Sequence, residues 1–339
     1  MIVLGIESSC DETAASVVDV SGVRSDVIHS QAVHAQYLGV VPELAGRAHA
    51  DKVVVTVQKA LADAGIERPD AVAATAGPGL MGAVLVGLCM GKSLAAGWGV
   101  PFRAVNHLEA HLLAPLLEDP PPAFPFLSLV VSGGHTTLYL ARAVGDYEVL
   151  GQTIDDAAGE AYDKVARMLG LGYPGGPAVD ALAQQGRGDA VDFPRPRPRP
   201  RPQGEVSRRR QVVARTDLDM SFSGLKTAVR VHLERPDRAP PEDVAASFQE
   251  AVTDVLCDRI LRAVKRTGVD RVAIGGGVAA NSRLRARLAA LPGVHATLPP
   301  RSRCTDNGSM IAHAGRLHLL AGRSDPLSAT ARAAWMPGT

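Results

Sequence analysis

The sequence predicts an α/β fold of two lobes in which the same order of strands and helices occurs twice. Short runs rich in Val and Ile open each half as three strands, and helical patterns alternate with single strands after them. The length of 339 residues suits two medium domains better than one core. The repeated βββαβα order predicts a duplicated architecture with a ligand cleft between the lobes. We place the first lobe at residues 1–105 and about 300–330, and the second at residues 106–299.

The first half begins with three strands separated by Ser, Asp and Gly, predicted at residues 2–7, 14–20 and 26–34. Pro42 opens a helical pattern that continues to about residue 64, because proline is tolerated in the first helical turn. A strand at residues 70–75, the turn GPGLMG, a second long helix and a strand at residues 102–105 follow.

The second half restarts with apolar strands. They are predicted at residues 126–132, 137–142 and 147–153, with one more at residues 271–274. Helical patterns are predicted at residues 159–169, 178–185, 223–233, 241–265, 280–291 and 306–320.

Composition argues against several classes of protein. The formal net charge of +1 gives no global field that would draw the chain to nucleic acid or membranes. Four cysteines without CxxC spacing indicate reduced thiols rather than a disulfide scaffold or a cysteine zinc site. The N-terminus has no basic leader, and the apolar segment 81–100 contains Lys92 and five glycines. We therefore predict a cytoplasmic protein with no membrane partner, in which residues 81–100 form a buried helix.

An arginine- and proline-rich segment interrupts the pattern at residues 194–215, which begin PRPRPRPRP. Alternating proline favours an extended backbone that joins neither a helix nor a sheet. The segment is therefore predicted to be an exposed loop. It can be a simple spacer or a basic arm that contacts phosphates, and the residues leave both interpretations open.

Glycines follow two predicted strands and can offer backbone N–H groups to an anion. Gly133 and Gly134 lie in the SGGH turn, which fits either phosphate binding or a plain hairpin. The segment AIGGGVAAN carries a buried strand into a helix, where a ligand can lie against the backbone. It does not have the GxGxxG spacing of a dinucleotide site. Asn281, at its end, can cap the helix or bind a ligand.

Acidic residues lie beside two further turns. Asp163 precedes the turn YPGGP and Asp180 follows it, so that turn brings two helix ends together. Each carboxylate alone is typical of a solvated surface. The first hairpin, ESSCDET, contains Asp11 and Glu12, and a solvated turn is its plain interpretation.

The stretch VNHLEAHLLAP contains two histidines four residues apart. On a helix His107 and His111 lie about 40° apart and can share a metal. Glu109 lies about 200° from His107, so it cannot act as the glutamate of a HExxH zinc protease does. A third ligand must come from elsewhere. Asp306 is the best candidate, although it is equally placed to cap the helix that follows.

Eight motifs occur in order from residue 5 to residue 312. They are GIESSCDETAASVV, GPGLMGAVLVG, NHLEAH, VVSGGHT, EAYDKVARMLGLGYPGGP, SFSGLKTAV, GGGVAAN and CTDNGSMIA. Together they closely resemble the TsaD family, the tRNA threonylcarbamoyladenosine transferases formerly described as O-sialoglycoprotein endopeptidases. The resemblance covers nearly the whole chain, and the arginine-proline expansion after Phe193 is its one clear departure.

The resemblance implies an actin-, Hsp70- and sugar-kinase-like (ASKHA) fold. It implies one divalent metal, iron in preference to zinc, on His107, His111 and Asp306. It also implies an adenine nucleotide moiety, that of threonylcarbamoyl-AMP or ATP, in the cleft. The implied nucleotide-binding positions are Val130, Val131, Ser132, Gly133, Gly134, Asp163, Gly176, Asp180 and Asn281. Asp11 and Glu12 are the implied catalytic residues.

The implied reaction moves a threonylcarbamoyl group from threonylcarbamoyl-AMP to the exocyclic amine of adenosine 37, in tRNAs that read codons beginning with A. AMP is released. The implied partners are the tRNA, a TsaB-like paralogue and a TsaE-like ATPase. Two alternatives are compatible with the same fold class, an ATP-dependent kinase and a non-enzymatic nucleotide switch.

Overall fold

The computed structural model describes residues 1–37, 39–198 and 216–338. The chain divides into two compact units. The first comprises Met1–Pro121, Val144–Asp146 and Pro299–Thr339, and the second comprises Pro122–Ala143 and Tyr147–Leu298. The boundary predicted after residue 105 therefore lies at residue 121, because the helix His107–Leu113 packs against the helix Gly308–Leu320 of the first unit.

The described residues form ten strands. In chain order they are β1 (Val3–Glu7), β2 (Glu12–Asp19), β3 (Gly22–Ser30), β4 (Ala71–Gly77), β5 (Phe102–Asn106), β6 (Phe126–Val131), β7 (Thr136–Ala143), β8 (Asp146–Gln152), β9 (Arg271–Gly275) and β10 (His295–Thr297). β3 ends before the predicted residue 34. Its pairing stops where the backbone N–H of Gln31 turns to donate to the carbonyl of Asp11, and Ala32–Tyr37 then forms a 3-10 helix.

The strands form two five-stranded sheets of the same design. The first has the order β3-β2-β1-β4-β5, and the second has the order β10-β9-β6-β7-β8. In the first sheet β1, β2 and β3 pair antiparallel, whereas β4 and β5 run parallel to β1. In the second, β6 pairs antiparallel with β7, while β9 and β10 run parallel to it. The predicted duplication is confirmed, with β10 as a strand that the sequence did not predict.

Nine α-helices complete the described part of the chain. They are α1 (Pro42–Asp63), α2 (Met81–Trp98), α3 (His107–Leu113), α4 (Ala158–Met168), α5 (Gly175–Ala183), α6 (Ser223–Leu233), α7 (Pro241–Thr267), α8 (Ser282–Ala289) and α9 (Gly308–Leu320). α8 and α9 both begin two residues later than predicted. In each case an asparagine side chain caps the helix, since Asn281 accepts from Leu284 N and Asn307 accepts from Met310 N.

Helices cover both faces of the first sheet. Side chains alternate between the faces of a strand, so Gly5 and Ile6 of β1 point in opposite directions. A Cβ on Gly5 would lie 2.3 Å from the backbone nitrogen of Ala312, so only glycine lets α9 approach this closely. Ile6 instead faces α2, near Gly87. α9 and the α1–α2 pair therefore lie on opposite faces, and α9 brings Asp306, just before it, to the edge where α3 begins.

α2 is less buried than the sequence predicts. Among the described residues it is the one helix long and apolar enough to cross a membrane, but a core helix satisfies the same criterion. One side of it packs on β4 and α1, whereas Met81 and Leu85 are exposed on the other side. Of the predicted loop at 194–215, residues 199–215 lie outside the described part of the chain. Residues 194–198 form no helix or strand, and Arg195 pairs there with Asp254.

Candidate functional site

The two histidines of the opening motif lie in α3, which begins at His107. Asn106 caps this helix, because its Oδ1 accepts hydrogen bonds from Leu108 N at 2.9 Å and Glu109 N at 3.2 Å. Both imidazoles are buried. Their ring centroids lie 4.7 Å apart in an edge-to-face arrangement, as the four-residue spacing on a helix predicts.

Asp306 closes this site from the segment before α9. Its Oδ1 lies 2.9 Å from His111 Nε2 and 3.6 Å from His107 Nε2. One ligand atom from each of the three residues lies within 4.8 Å of the others. Asn307, and not Asp306, caps α9, so the alternative role considered for Asp306 belongs to its neighbour.

Glu109 lies on the other side of α3. Its Oε1 is 2.8 Å from His318 Nε2 on α9, and both side chains are buried. Glu109 is not part of the group formed by His107, His111 and Asp306. The position of this carboxylate is thus the one that helix geometry predicts, and it does not suit a zinc-protease site.

A buried carboxylate holds the ring of His107. Glu7 Oε2 lies 3.0 Å from His107 Nδ1, and Ser9 Oγ lies 3.2 Å from the same nitrogen. Burial opposes the charge of His107, but Asp306 and Glu7 outweigh that effect and raise the pKa of His107 to about 9. Burial also opposes ionisation of Glu7, yet His107 lowers the pKa of its carboxyl. In the absence of a cation these groups form a charged pair.

Asp11 ends the turn between β1 and β2 and Glu12 begins β2, and the two side chains share a hydrogen bond. Burial and then the negative charges of Asp306 and Asp11 raise the pKa of Glu12 to about 10. Glu12 is therefore protonated at neutral pH when no cation is near. The turn itself is held by His49, whose Nε2 lies 3.0 Å from the carbonyl of Cys10 and whose Nδ1 lies 2.7 Å from Thr13 Oγ1.

The residues at this site fit a divalent cation. Two imidazole nitrogens and one carboxylate oxygen are ligands that Fe²⁺ and Zn²⁺ accept, and three such ligands leave coordination positions open. The carboxylates of Glu7 and Asp11 add negative potential around them. Without a cation, the protonated ring of His107 attracts Asp306. To hold a cation, His107 would have to release that proton, and both side chains would then bind the cation instead of each other.

In the second unit, the SGGH turn joins β6 to β7 and lies against the start of α4. The Ser132 carbonyl accepts from Gly159 N at 3.2 Å, and Ser132 N donates to the His135 carbonyl at 2.7 Å. A Cβ on Gly159 would lie 2.6 Å from the Ser132 carbonyl oxygen, so this contact requires glycine. Around Gly133 and Gly134, in contrast, the space that a Cβ would enter is open.

Four other predicted positions in this unit have different surroundings. Val130 and Val131 are fully buried in β6, so only their backbone can face a ligand. Asp163 Oδ1 accepts from Gly175 N at 2.9 Å and thereby ties α4 to the start of α5. The next residue, Gly176, has open space where a Cβ would project.

Asp180 and Asn281 belong to one hydrogen-bond network. Asp180 Oδ1 accepts from Ser282 Oγ at 2.6 Å and from Asn281 Nδ2 at 3.3 Å. The same Nδ2 donates to Gln249 Oε1 at 2.8 Å, while Asn281 Oδ1 caps α8. Of the two roles left open for Asn281, the structure shows the cap. Its amide also holds Asp180 in place.

The sequence did not single out several residues that support these sites. Glu7, Gln249 and Ser282 contact the predicted residues and Thr75 contacts Glu7, but none of the four belongs to a predicted site. Glu7 carried a signal, because a glutamate at the end of the apolar strand VLGIE is costly to bury unless it has partners. The SGLKT lysine, Lys226, donates to Asp156 Oδ2 at 2.9 Å, as does Lys164.

The sequence of this chain is similar to those of known proteins. The family model described as TsaD: tRNA N6-adenosine threonylcarbamoyltransferase matches residues 22–313. The tRNA N6-adenosine threonylcarbamoyltransferase of Anaeromyxobacter dehalogenans is 49% identical over 345 residues, which cover 98% of each chain. That of Trichlorobacter lovleyi is 49% identical over 346 residues, which cover 99% of this chain and 96% of its own.

Among solved structures, HypF of T. kodakarensis aligns with a TM-score of 0.60 and 16% identity. The alignment covers 94% of this chain and 48% of HypF, so this chain spans about half the length of that protein. At this identity the likeness concerns the fold alone, and it confirms the predicted actin- and sugar-kinase-like class. The family match, together with 49% identity to two relatives over nearly their whole length, also identifies the function. The chain belongs to the TsaD family of tRNA N6-adenosine threonylcarbamoyltransferases and is a transferase that modifies tRNA.

Proposed function

We propose that this protein moves the threonylcarbamoyl group from threonylcarbamoyl-AMP to N6 of adenosine 37, in tRNAs that read codons beginning with A. The observation that carries the proposal is the convergence of His107, His111 and Asp306 on one point beside the acidic turn of Asp11 and Glu12. A kinase has no need of two imidazole ligands, because Mg²⁺ prefers carboxylates and water. Family membership supports the same reaction.

The chemistry explains why an activated donor is needed. N6 of adenine is a weak nucleophile, since its lone pair is delocalised into the ring. In the mixed anhydride, N6 forms a bond to the carbamoyl carbon and the bond from that carbon to the phosphate oxygen breaks. AMP leaves with the electron pair of that bond, and N6 loses a proton. The protein must therefore hold the anhydride, balance negative charge on the departing phosphate and accept one proton.

The cation we propose is iron in preference to zinc, because two histidines and one carboxylate with open positions are typical of Fe²⁺ sites. When bound, it would polarise a phosphate or carbonyl oxygen of the anhydride as a Lewis acid. His107, His111 and Asp306 hold it. Asp11 and Glu12, whose side chains share a hydrogen bond, are the candidates to accept the proton from N6.

We propose that the nucleotide of the donor binds at the glycine turns of the second unit. Open space around Gly133, Gly134 and Gly176 leaves room for a ligand against the backbone. Backbone N–H groups of the SGGH turn suit phosphate oxygens, and the backbone of Val130 and Val131 leads into that turn. The carboxylates of Asp163 and Asp180 suit ribose hydroxyls, with Asn281 holding Asp180 in position.

We propose that a TsaB-like paralogue docks on an apolar face of α1 and α2. Val54 and Val55 on α1 and Met81 and Leu85 on α2 are exposed, and the two helices pack against each other. Exposed apolar side chains on paired helices are typical of an interface. A paralogue that shares the first unit would offer a similar helix pair. A TsaE-like ATPase and the tRNA are the other proposed partners, and the cytoplasm is the proposed location.

The deciding experiment supplies the protein with threonylcarbamoyl-AMP, the two partner proteins, ATP and a tRNA that reads codons beginning with A. Mass spectrometry of the digested tRNA should show threonylcarbamoyladenosine, and AMP should appear in equal amount. A tRNA of the same sequence with guanosine at position 37 is the control and should stay unmodified. Consumption of nucleotide without the modified nucleoside, under every combination of partners, would favour a kinase or a nucleotide switch instead.

A further inference from the structure

Glu7 is a buried carboxylate that is neither a ligand of the proposed cation nor a predicted site residue. It is the last residue of β1 and its side chain is fully buried. A charged group in such a position is stable only when its oxygens have partners. The partners of Glu7 are therefore informative about why it is there.

Both oxygens of Glu7 are satisfied, and their partners come from three different elements. Oε2 accepts from Thr75 Oγ1 of β4 at 2.6 Å and from His107 Nδ1 of α3 at 3.0 Å. Oε1 accepts from the backbone N–H of Ser9 in the first turn. The carboxylate therefore has one position and one orientation, set by β1, β4 and that turn.

This arrangement sets the state of the His107 ring. The 3.0 Å contact between Glu7 Oε2 and His107 Nδ1 has the geometry in which a metal-ligating histidine donates its other ring N–H to a carboxylate. Nε2 then faces Asp306, 3.6 Å away, and is the nitrogen available to a cation. His111 is held differently, because its buried Nδ1 has no hydrogen-bond partner among the described residues. Of the two histidine ligands, His107 is thus the one that a carboxylate orients.

We propose that Glu7 is a positioning residue of the metal centre, which fixes the ring of His107 so that Nε2 is presented to the cation together with His111 and Asp306. Carboxylates behind histidine ligands orient the ring and increase its basicity in metal sites generally. Thr75 supports Glu7 in turn, because its hydroxyl donates to Glu7 Oε2, the same oxygen that accepts from His107 Nδ1. The inference rests on the proposed cation, although not on the transfer reaction.

The test is the affinity of the full-length, metal-stripped protein for Zn²⁺, measured by competition with a chromophoric chelator at one fixed pH. Glu7→Gln keeps the size of the side chain and an oxygen that can accept from Nδ1, but it removes the charge. We expect Zn²⁺ binding to weaken by about 10- to 100-fold, the usual loss when such a partner is changed. Replacement of Zn²⁺ by Co²⁺ should show an altered visible spectrum in the same variant, because the ring of His107 is no longer fixed.

The matched control is Glu109→Gln. Glu109 and His318 form a second buried carboxylate–histidine pair. Glu109 lies on α3 with His107 and His111, whereas His318 lies on α9 and is not a ligand. We expect this variant to change Zn²⁺ affinity by less than about threefold, because its partner does not bind the cation. An equal loss in both variants would overturn the inference, since it would reflect any buried charge near α3.

Two further results distinguish this inference from the proposed function. A wild-type protein that binds no Zn²⁺ would overturn both. Binding by Glu7→Gln as tight as that of the wild type would overturn the inference and leave the metal centre standing.

Thr75 offers a second test if Glu7→Gln does not fold. Thr75→Val keeps the shape and removes the hydroxyl that donates to Glu7, whereas Thr75→Ser keeps the hydroxyl. We expect a loss of about threefold or more in Zn²⁺ affinity for Thr75→Val, with Thr75→Ser restoring the wild-type value, because only the first frees the carboxylate. Equal affinity in Thr75→Val and the wild type would overturn the inference.

Discussion

Asp306 Oδ1 lies 2.9 Å from His111 Nε2, although 195 positions separate the two residues in the chain. α3 follows directly after β5 of the first sheet, and α9 packs on the same sheet, where Gly5 lets it lie against β1. The contact exists because of this packing. It brings together ligands from two distant segments of the first unit, so the motif HLEAH supplies two of the three ligands and Asp306 supplies the third.

Asp306→Ala should remove both cation binding and transfer activity. Two histidines alone hold a divalent cation weakly, and the loss of one of three protein ligands is expected to reduce affinity by at least about 100-fold. Metal content by elemental mass spectrometry and threonylcarbamoyladenosine yield measure the two effects. Asp325→Asn is a suitable control, because Asp325 accepts from Ala104 N in the same unit away from the three ligands. A fully active, metal-loaded Asp306→Ala protein would contradict the assignment.

Gly133→Ala and Gly134→Ala should affect binding without affecting folding. A Cβ at either position meets open space, so the free energy of unfolding should change by no more than about 0.5 kcal/mol. Affinity for AMP should nevertheless fall, because the methyl group occupies space that the phosphate needs. Urea unfolding and calorimetric titration with AMP measure the two quantities.

Gly159→Ala provides the contrast. Its Cβ would lie 2.6 Å from the Ser132 carbonyl oxygen, so the free energy of unfolding should fall by about 1–3 kcal/mol. Equal stability losses at Gly133, Gly134 and Gly159 would show that all three glycines serve packing and would argue against a nucleotide site at the turn.

Leu85→Glu and Val55→Glu should weaken binding of a TsaB-like paralogue by at least tenfold, because each places a charge in the apolar face of α1 and α2. Both side chains are exposed, so thermal unfolding of the isolated protein should change little. Val20→Glu, which adds the same charge at an exposed position outside these helices, is the control. Unchanged affinity in both helix variants would place the paralogue elsewhere.

His313 should make the protein less stable in acid. Burial lowers the pKa of this imidazole to about 4, and neither ring nitrogen has a hydrogen-bond partner among the described residues. An unfolded histidine binds a proton near pH 6.5, so between about pH 6.5 and 4 the unfolded state holds more protons. The free energy of unfolding therefore falls as the pH falls through this window, by up to about 3 kcal/mol from this group.

Urea unfolding at a series of pH values tests this with His313→Leu. The variant should lose that part of the acid dependence and should be at least as stable as the wild type at pH 7, because no unpaired polar group is left buried. His295→Gln, at an exposed histidine, is the control. Parallel stability curves for His313→Leu and the wild type would contradict the prediction.

Short apolar runs rich in Val and Ile were enough to predict nine of the ten described strands, and the helical period predicted most of the helices. A strand buried on both faces is a continuous apolar run, and a helix with one buried face repeats every 3.6 residues, so both patterns can be recognised in the sequence. The same local rules paired His107 with His111 and turned Glu109 away. They also located the glycine turns, because a glycine after a buried strand has few other uses.

Relationships between distant segments were decided only by the tertiary structure. Asp306 and Asn307 are adjacent and both can cap a helix, and only the course of α9 shows that Asn307 caps and Asp306 faces the histidines. The first unit continues to residue 121 and does not end at the predicted residue 105, because α3 packs on α9.

The resemblance to a family named Asp180 and Asn281, but their contact depends on the positions of α5 and α8. Glu7 was visible as an unusual residue in an apolar strand, yet its partners could not be read from the sequence. Local periodicity records which side of an element is buried, whereas the partner of a buried polar group depends on the packing of elements that the sequence separates.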